Sequence, residues 1–218
     1  MAGNIVVLIS GRGSNLAALL QHDLGGDIVA VISNRPDAGG LEHARQHGID
    51  AIALDHKQSP DRASFDRELI DQIDSYSPKL VVLAGYMRLL SAAFVNHYAG
   101  RLINIHPSLL PAFTGLHTHQ RALDEGVRLH GCTVHFVTAE LDHGPIIIQA
   151  AVPVMPHDTA SSLATRVLEQ EHQIFPQAVR WFMQDRLHID GNRVILKHGC
   201  ADHPAALIHP PLDCETAP

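Results

Sequence analysis

The chain has 218 residues, a hydrophobic fraction of 45%, a charged fraction of 18% and a formal net charge of −7. This length suits one domain with a sizeable core, and the composition is that of a soluble globular protein. The negative balance, without any run of like charges, argues against non-specific binding to nucleic acid or to an anionic membrane surface, and no uninterrupted apolar stretch approaches the ~20 residues of a membrane span.

In chain order, apolar β-branched runs alternate with amphipathic stretches. Asn4–Ser10 reads as a strand. Its apolar part, Ile5 to Ile9, is too short for a signal peptide and has no basic residue before it. The glycine loop Gly11-Arg12-Gly13-Ser14-Asn15 follows, and a helix starts at Leu16. Asp27–Ser33 is a second strand, Gly40–His47 a short helix closed by Gly48, and Ala51–Leu54 a third strand. Ala63–Ser75 carries Phe65, Leu69, Ile70 and Ile73 at close to helical spacing. Leu80–Ala84 is a continuous apolar run, as a central parallel strand requires. A helix at Ala92–Tyr98 precedes the strand Leu102–Ile105. Leu116–Glu125 reads as a helix ended by Gly126, and Cys132–Thr138 and Ile146–Val154 as two more strands. Asp158 is the expected N-cap of a long last helix, with Leu163, Val167, Ile174 and Val179 inward and Pro176 expected to kink it. Arg186–Lys197 reads as a hairpin turning at Asp190-Gly191. The tail after Gly199 is proline-rich and reads as irregular. The alternation implies an α/β fold: a doubly wound, mostly parallel sheet with helices on both faces, in one domain over 1–218.

Three stretches hold polar residues where an open α/β sheet places its ligands, beyond the carboxyl ends of the strands. In Leu102-Ile103-Asn104-Ile105-His106-Pro107, Asn104 and His106 stand two apart and emerge on one side of an apolar strand. Buried polar groups are costly unless hydrogen-bonded, so this pair reads as a site. Asp142, in Glu140-Leu141-Asp142-His143-Gly144-Pro145, follows a strand carrying an inward-capable His135. A carboxylate near a histidine favours the charged imidazole. The glycine loop offers backbone amides and the Ser14 and Asn15 side chains. It lacks the third glycine and the acidic residue of a dinucleotide fingerprint, and no Gly-Lys-Ser/Thr follows as in a P-loop. The loop alone is read equally as a phosphate cradle or as the tight turn of any doubly wound fold. Glu171-His172, taken in isolation, reads as a solvated helix face.

Histidines number 17, so a single one means little. His117-x-His119 resembles a metal pair, but no third ligand follows at zinc spacing, and no metal is expected. Three cysteines, Cys132, Cys200 and Cys214, show no pattern and fit a reducing cytoplasm.

Together these residues resemble the phosphoribosylglycinamide formyltransferase family, the folate-dependent enzymes of purine synthesis. The resemblance runs from Asn4 to about Phe182. It rests on Ser10-Gly11-x-Gly13-Ser14-Asn15-Leu16, Leu83-Ala84-Gly85-Tyr86-Met87-Arg88-Leu89-Leu90, Asn104-Ile105-His106-Pro107-Ser108-Leu109-Leu110-Pro111, Gly115-x-x-x-His119, His135-Phe136-Val137 and Leu141-Asp142-x-Gly144-Pro145. It implies a Rossmann-like formyltransferase fold and transfer of a formyl group from 10-formyltetrahydrofolate to the amine of glycinamide ribonucleotide. It implies Asn104, His106 and Asp142 as the catalytic trio. Gly13, Ser14 and Asn15 would hold the substrate phosphate and Glu171 the ribose hydroxyls. Met87, Arg88, Leu89 and Leu90, with Asn104, would line the folate cleft, and Arg62 would reach the acidic side of the folate. Small-molecule partners, no nucleic acid, no membrane and a monomer or homodimer are expected. The chain departs from the family at Ala112-Phe113-Thr114, where a basic residue and a proline are common, and at His143, where glycine is.

Two relatives share the trio. Methionyl-tRNA formyltransferase adds a C-terminal nucleic-acid-binding domain, and formyltetrahydrofolate hydrolase adds an N-terminal regulatory domain; neither extension is expected here. A non-catalytic nucleotide-binding module would need the glycine loop but not the trio.

Overall fold

The computed structural model describes residues 3–198. The tail and two of the cysteines, Cys200 and Cys214, lie outside the described residues. The first half of the chain winds strand and helix in turn: β1 (Gly3–Ile9), α1 (Ser14–Leu20), β2 (Gly26–Ser33), α2 (Gly40–Gln46), β3 (Asp50–Ala53), α3 (Arg62–Asp74), β4 (Leu80–Leu83), α4 (Ala92–His97) and β5 (Leu102–His106). The second half adds α5 (Thr118–Asp124), β6 (Leu129–Phe136), β7 (Ile146–Pro153), α6 (Ala160–Met183), β8 (Leu187–Asp190) and β9 (Arg193–Leu196).

All strands join one sheet in the order β3-β2-β1-β4-β5-β6-β7-β9-β8. β3 through β5 are mutually parallel, β6 and β7 are antiparallel, and β9 meets β7 in parallel at Ile146 and Arg193. Successive β1 residues face opposite sides of the sheet. Ile5, Val7 and Ile9 pack with residues of α1, α2, α5 and α6, and Val6 and Leu8 pack with α3 and α4. Burial on both faces is why the strand sequence is continuously apolar. From β1 the chain winds outward to β2 and β3, then returns to place β4 on the other side. The crevice between the carboxyl ends of β1 and β4 is therefore the switch point where such sheets bind ligands.

The elements match the expected ones, with shifted edges. α5 begins at Thr118, two residues late, because Gly115 and His117 have positive φ and cannot continue a helix. β6 begins at Leu129, before the expected Cys132. Its Gly131 lies against the Ala150 carbonyl of β7, where a Cβ would overlap, so the glycine marks close strand approach rather than a break. The N-cap of α6 is Thr159, not Asp158: Thr159 and Ser162 form a reciprocal capping box. Asp158, one residue earlier, binds the Met155 amide and Arg166 instead. Pro176 is buried inside an unbroken α6. The last hairpin turns at Gly191 and Asn192, since Asp190 pairs with Arg193; Gly191 takes the positive φ that a two-residue hairpin turn demands.

Candidate active site

Asn104 and His106 lie at the carboxyl end of β5, and the register places His135 of β6 directly opposite Asn104. The Asn104 Nδ2 lies 3.2 Å from His135 Nε2. His135 Nδ1 donates to the Phe136 carbonyl at 2.9 Å, which leaves Nε2 free to accept from Asn104. Burial pushes His135 below the ordinary imidazole range, opposed by the Phe136 carbonyl and by Asp142, in keeping with this neutral tautomer. An amide nitrogen carries two hydrogens, so Asn104 retains a second one to donate.

Asp142 follows β6 in the loop to β7, in the left-handed conformation at φ 55°, which Asp tolerates better than most residues. Its Oδ2 accepts the Gly115 amide at 2.8 Å and lies 3.6 Å from His106 Nδ1, with both side chains 8% exposed. His106 Nε2 lies 3.0 Å from the Phe113 carbonyl. Both ring nitrogens thus face oxygen atoms, Nε2 at hydrogen-bond distance and Nδ1 farther away. The same Phe113 carbonyl fixes the Ala112–Thr114 loop against the site. Gly144 sits where a Cβ would overlap the Phe136 carbonyl; close backbone approach there holds the Asp142 turn against β6. His143, the residue after Asp142, is exposed and contacts its neighbours Leu141 and Glu140.

The glycine loop ends at Gly13, with φ 82°. An added Cβ there would lie 2.6 Å from Gly40 Cα, so glycine is needed for conformation and for space. Ser14 opens α1, half-buried. Asn15 is buried and its Nδ2 donates to Glu171 Oε2 of α6 at 2.7 Å, while its Oδ1 has no partner. Glu171 is 6% exposed, which overturns its reading as part of a solvated face. Only the docking of α6 over α1 makes that face interior. Burial raises its carboxyl above the usual range, opposed by the Asn15 bond.

The segment after β4 hangs beside Asn104, whose β5 position pairs with Leu83. Met87 and Leu89 are 69% and 56% exposed, an unusual display of large apolar side chains beside a polar site. Arg88 lies over the Phe65 ring at 4.8 Å and Leu90 is half-buried. Arg62 is exposed at the first position of α3, one turn before Phe65; it stands at this corner and does not join the trio. His119 and His130 stack edge to face at 5.2 Å behind the loop. His117 is exposed, and no group of three or more His, Cys, Asp or Glu among the described residues could hold a metal ion. Cys132 is buried with its thiol pushed up to about 12 by burial and Glu171, which removes it as a nucleophile. No helix among the described residues is long and apolar enough to cross a membrane.

The sequence pointed to Asn104, His106 and Asp142 without assigning a role to His135. The cross-strand register that joins it to Asn104 is a pairing between distant segments. No local signal carries it.

Fold and site define an α/β enzyme with an amide, an imidazole and a carboxylate converging beside a switch-point crevice. Residues 3–179 match the model of the formyl transferase family, and the chain belongs to that family. It is similar to phosphoribosylglycinamide formyltransferase of Escherichia coli, 54% identical over 193 residues, which span 87% of this chain and 91% of that one. It is also similar to the trifunctional purine biosynthetic protein adenosine-3 of Drosophila melanogaster, 46% identical over 80% of this chain and 13% of that protein. The solved glycinamide ribonucleotide transformylase 1 of Symbiobacterium toebii superposes with a TM-score of 0.88 and 48% identity, covering 90% of this chain and 94% of that one.

Proposed function

We propose that the chain transfers the formyl group of 10-formyltetrahydrofolate to the amine of glycinamide ribonucleotide, yielding formylglycinamide ribonucleotide and tetrahydrofolate in purine biosynthesis. The observation that carries this reading is the buried Asn15–Glu171 pair beside the glycine loop. Loop amides with Ser14 suit a phosphate, and a buried carboxylate beside them suits paired ribose hydroxyls. Release of formate to water would need neither. Met87 to Leu90 line the cleft for the folate, with Arg62 on the side of its carboxylates.

In the reaction the amine attacks the formyl carbon, and the carbonyl oxygen becomes an oxyanion. Asn104, through its free Nδ2 hydrogen, and His106 as imidazolium, through the Nδ1 hydrogen that at 3.6 Å from Asp142 makes no hydrogen bond there, donate to it. Asp142, 3.6 Å from His106 Nδ1, places a carboxylate beside the imidazole and helps take the proton that the attacking nitrogen must lose. Collapse breaks the bond to N10 of the folate, which leaves with a proton. His135 fixes the amide of Asn104, so the donor is oriented before the oxyanion forms. We place the reaction in the cytoplasm, in a single formyltransferase domain acting as a monomer or homodimer on small molecules, without a nucleic-acid partner.

The test is a formyl-transfer assay of the purified chain with glycinamide ribonucleotide, with methionyl-tRNA and with water alone. Formyl label should appear on the glycinamide amine. Formate released at one rate with or without that acceptor would establish the hydrolase instead, and label on tRNA would establish the tRNA enzyme.

A further inference from the structure

Ser10 joins β1 to the glycine loop and has no part in the chemistry above. It is 4% exposed, and Asn34 at the end of β2 is 5% exposed. The Ser10 hydroxyl donates to Asn34 Oδ1 at 2.6 Å and accepts the Met87 amide at 2.8 Å. A hydroxyl has one hydrogen, and giving it to Asn34 turns the lone pairs toward Met87. Asn34 is itself held, with its backbone carbonyl 2.8 Å from the His56 ring. One side chain therefore ties the strand that ends in the glycine loop to the segment carrying Met87 and Leu89. The far end of that segment has its own anchor, the Ser91 amide bound by Asp66 of α3 at 2.7 Å, on the opposite face of the sheet from α1.

We infer that Ser10 is a positioning residue that couples the two substrate half-sites. A ligand that orders the glycine loop also fixes the Ser10 hydroxyl, and through it the Met87 amide, so acceptor and folate bind with mutual reinforcement. This rests on the assignment of Gly13 to Asn15 to the phosphate and of Met87 to Leu90 to the folate. Coupling needs a contiguous element that both sites bias, and a buried bidirectional hydrogen bond at the switch point is such an element. By linkage the effect is reciprocal.

The experiment measures the Kd of a non-transferable folate analogue with and without saturating glycinamide ribonucleotide, alongside steady-state kinetics. In the wild type the acceptor should tighten the analogue by about fivefold, the order of one buried hydrogen bond. Ser10→Ala should bring that ratio to about one and raise both KM values, with kcat at saturation little changed. Ser10→Thr, which keeps the hydroxyl, should restore the ratio. Asp66→Ala should weaken the analogue yet leave the ratio intact. If Ser10→Ala melts well below the wild type, Asn34→Ala, which keeps the hydroxyl but frees its orientation, must also lower the ratio. A wild-type ratio of one, or a wild-type ratio retained in Ser10→Ala, overturns the inference. A wild type that makes no formylglycinamide ribonucleotide overturns the functional reading itself, so the two failures are distinct.

Discussion

Asp142→Asn isolates the charge at the centre of the site. Asn adopts the left-handed conformation as readily as Asp, so the φ of 55° is kept. Its side-chain oxygen can still accept the Gly115 amide, now held at 2.8 Å. What is lost is the carboxylate charge 3.6 Å from His106 Nδ1. At about that separation and an effective dielectric constant of ~20, the attraction is about 4 kcal/mol. Because the imidazolium is most needed as the oxyanion develops, this loss falls on the transition state. At about 1.4 kcal/mol per factor of ten, kcat should drop by about a thousandfold. Steady-state kinetics with both substrates gives kcat and KM, and equilibrium binding of a folate analogue gives ground-state affinity. KM and analogue affinity should stay within about threefold of wild type. The double variant with His106→Ala should be scarcely slower than either single one, since the two residues act as a unit. The reasoning fails if Asp142→Asn retains kcat within about tenfold, if folate affinity falls as far as kcat, or if the two substitutions multiply.

Gly13→Ala should raise the KM for glycinamide ribonucleotide with little change for folate, because the new Cβ presses on Gly40 beside the glycine loop; equal loss of both ligands would mean general misfolding. Glu171→Gln should weaken acceptor binding while holding or raising the melting temperature at pH 7, since burial already disfavours the charged carboxyl; a lower melting temperature with unchanged acceptor KM would contradict it. His130 is 1% exposed, and burial, aided by His119, lowers it from 6.5 to about 4. The unfolded chain thus binds more protons between those values, and stability should fall as pH drops from about 6.5 toward 4. Urea unfolding across that range should show a shallower pH slope for His130→Phe; an unchanged slope would exclude His130 as its source.

Much of this protein was legible in its sequence. Parallel strands buried on both faces must be continuously apolar, so β1, β4 and β5 declared themselves. Asn104 and His106, two apart at the end of such a run, could be costly only in vain or useful in a site. Gly13 marks a place where the backbone is closely approached, and glycine is the residue that permits it. The resemblance to known formyltransferases then gave roles to residues whose chemistry was already suggestive.

The tertiary structure decided the rest, through contacts between segments far apart in the chain. Glu171 reads as surface on its own helix; docking of α6 over α1 buries it and joins it to Asn15, 156 positions away. His135 gains its role from the register of β6 against β5, which depends on the whole sheet. Ser10 looks like the first residue of a glycine loop, and only the adjacency of β1 to β4 sets its hydroxyl under Met87. Local physics writes strands, turns and caps into the sequence because their causes lie within a few residues. Burial and hydrogen-bond partners across the crevice have causes distributed over the fold, and they exist only once it has formed.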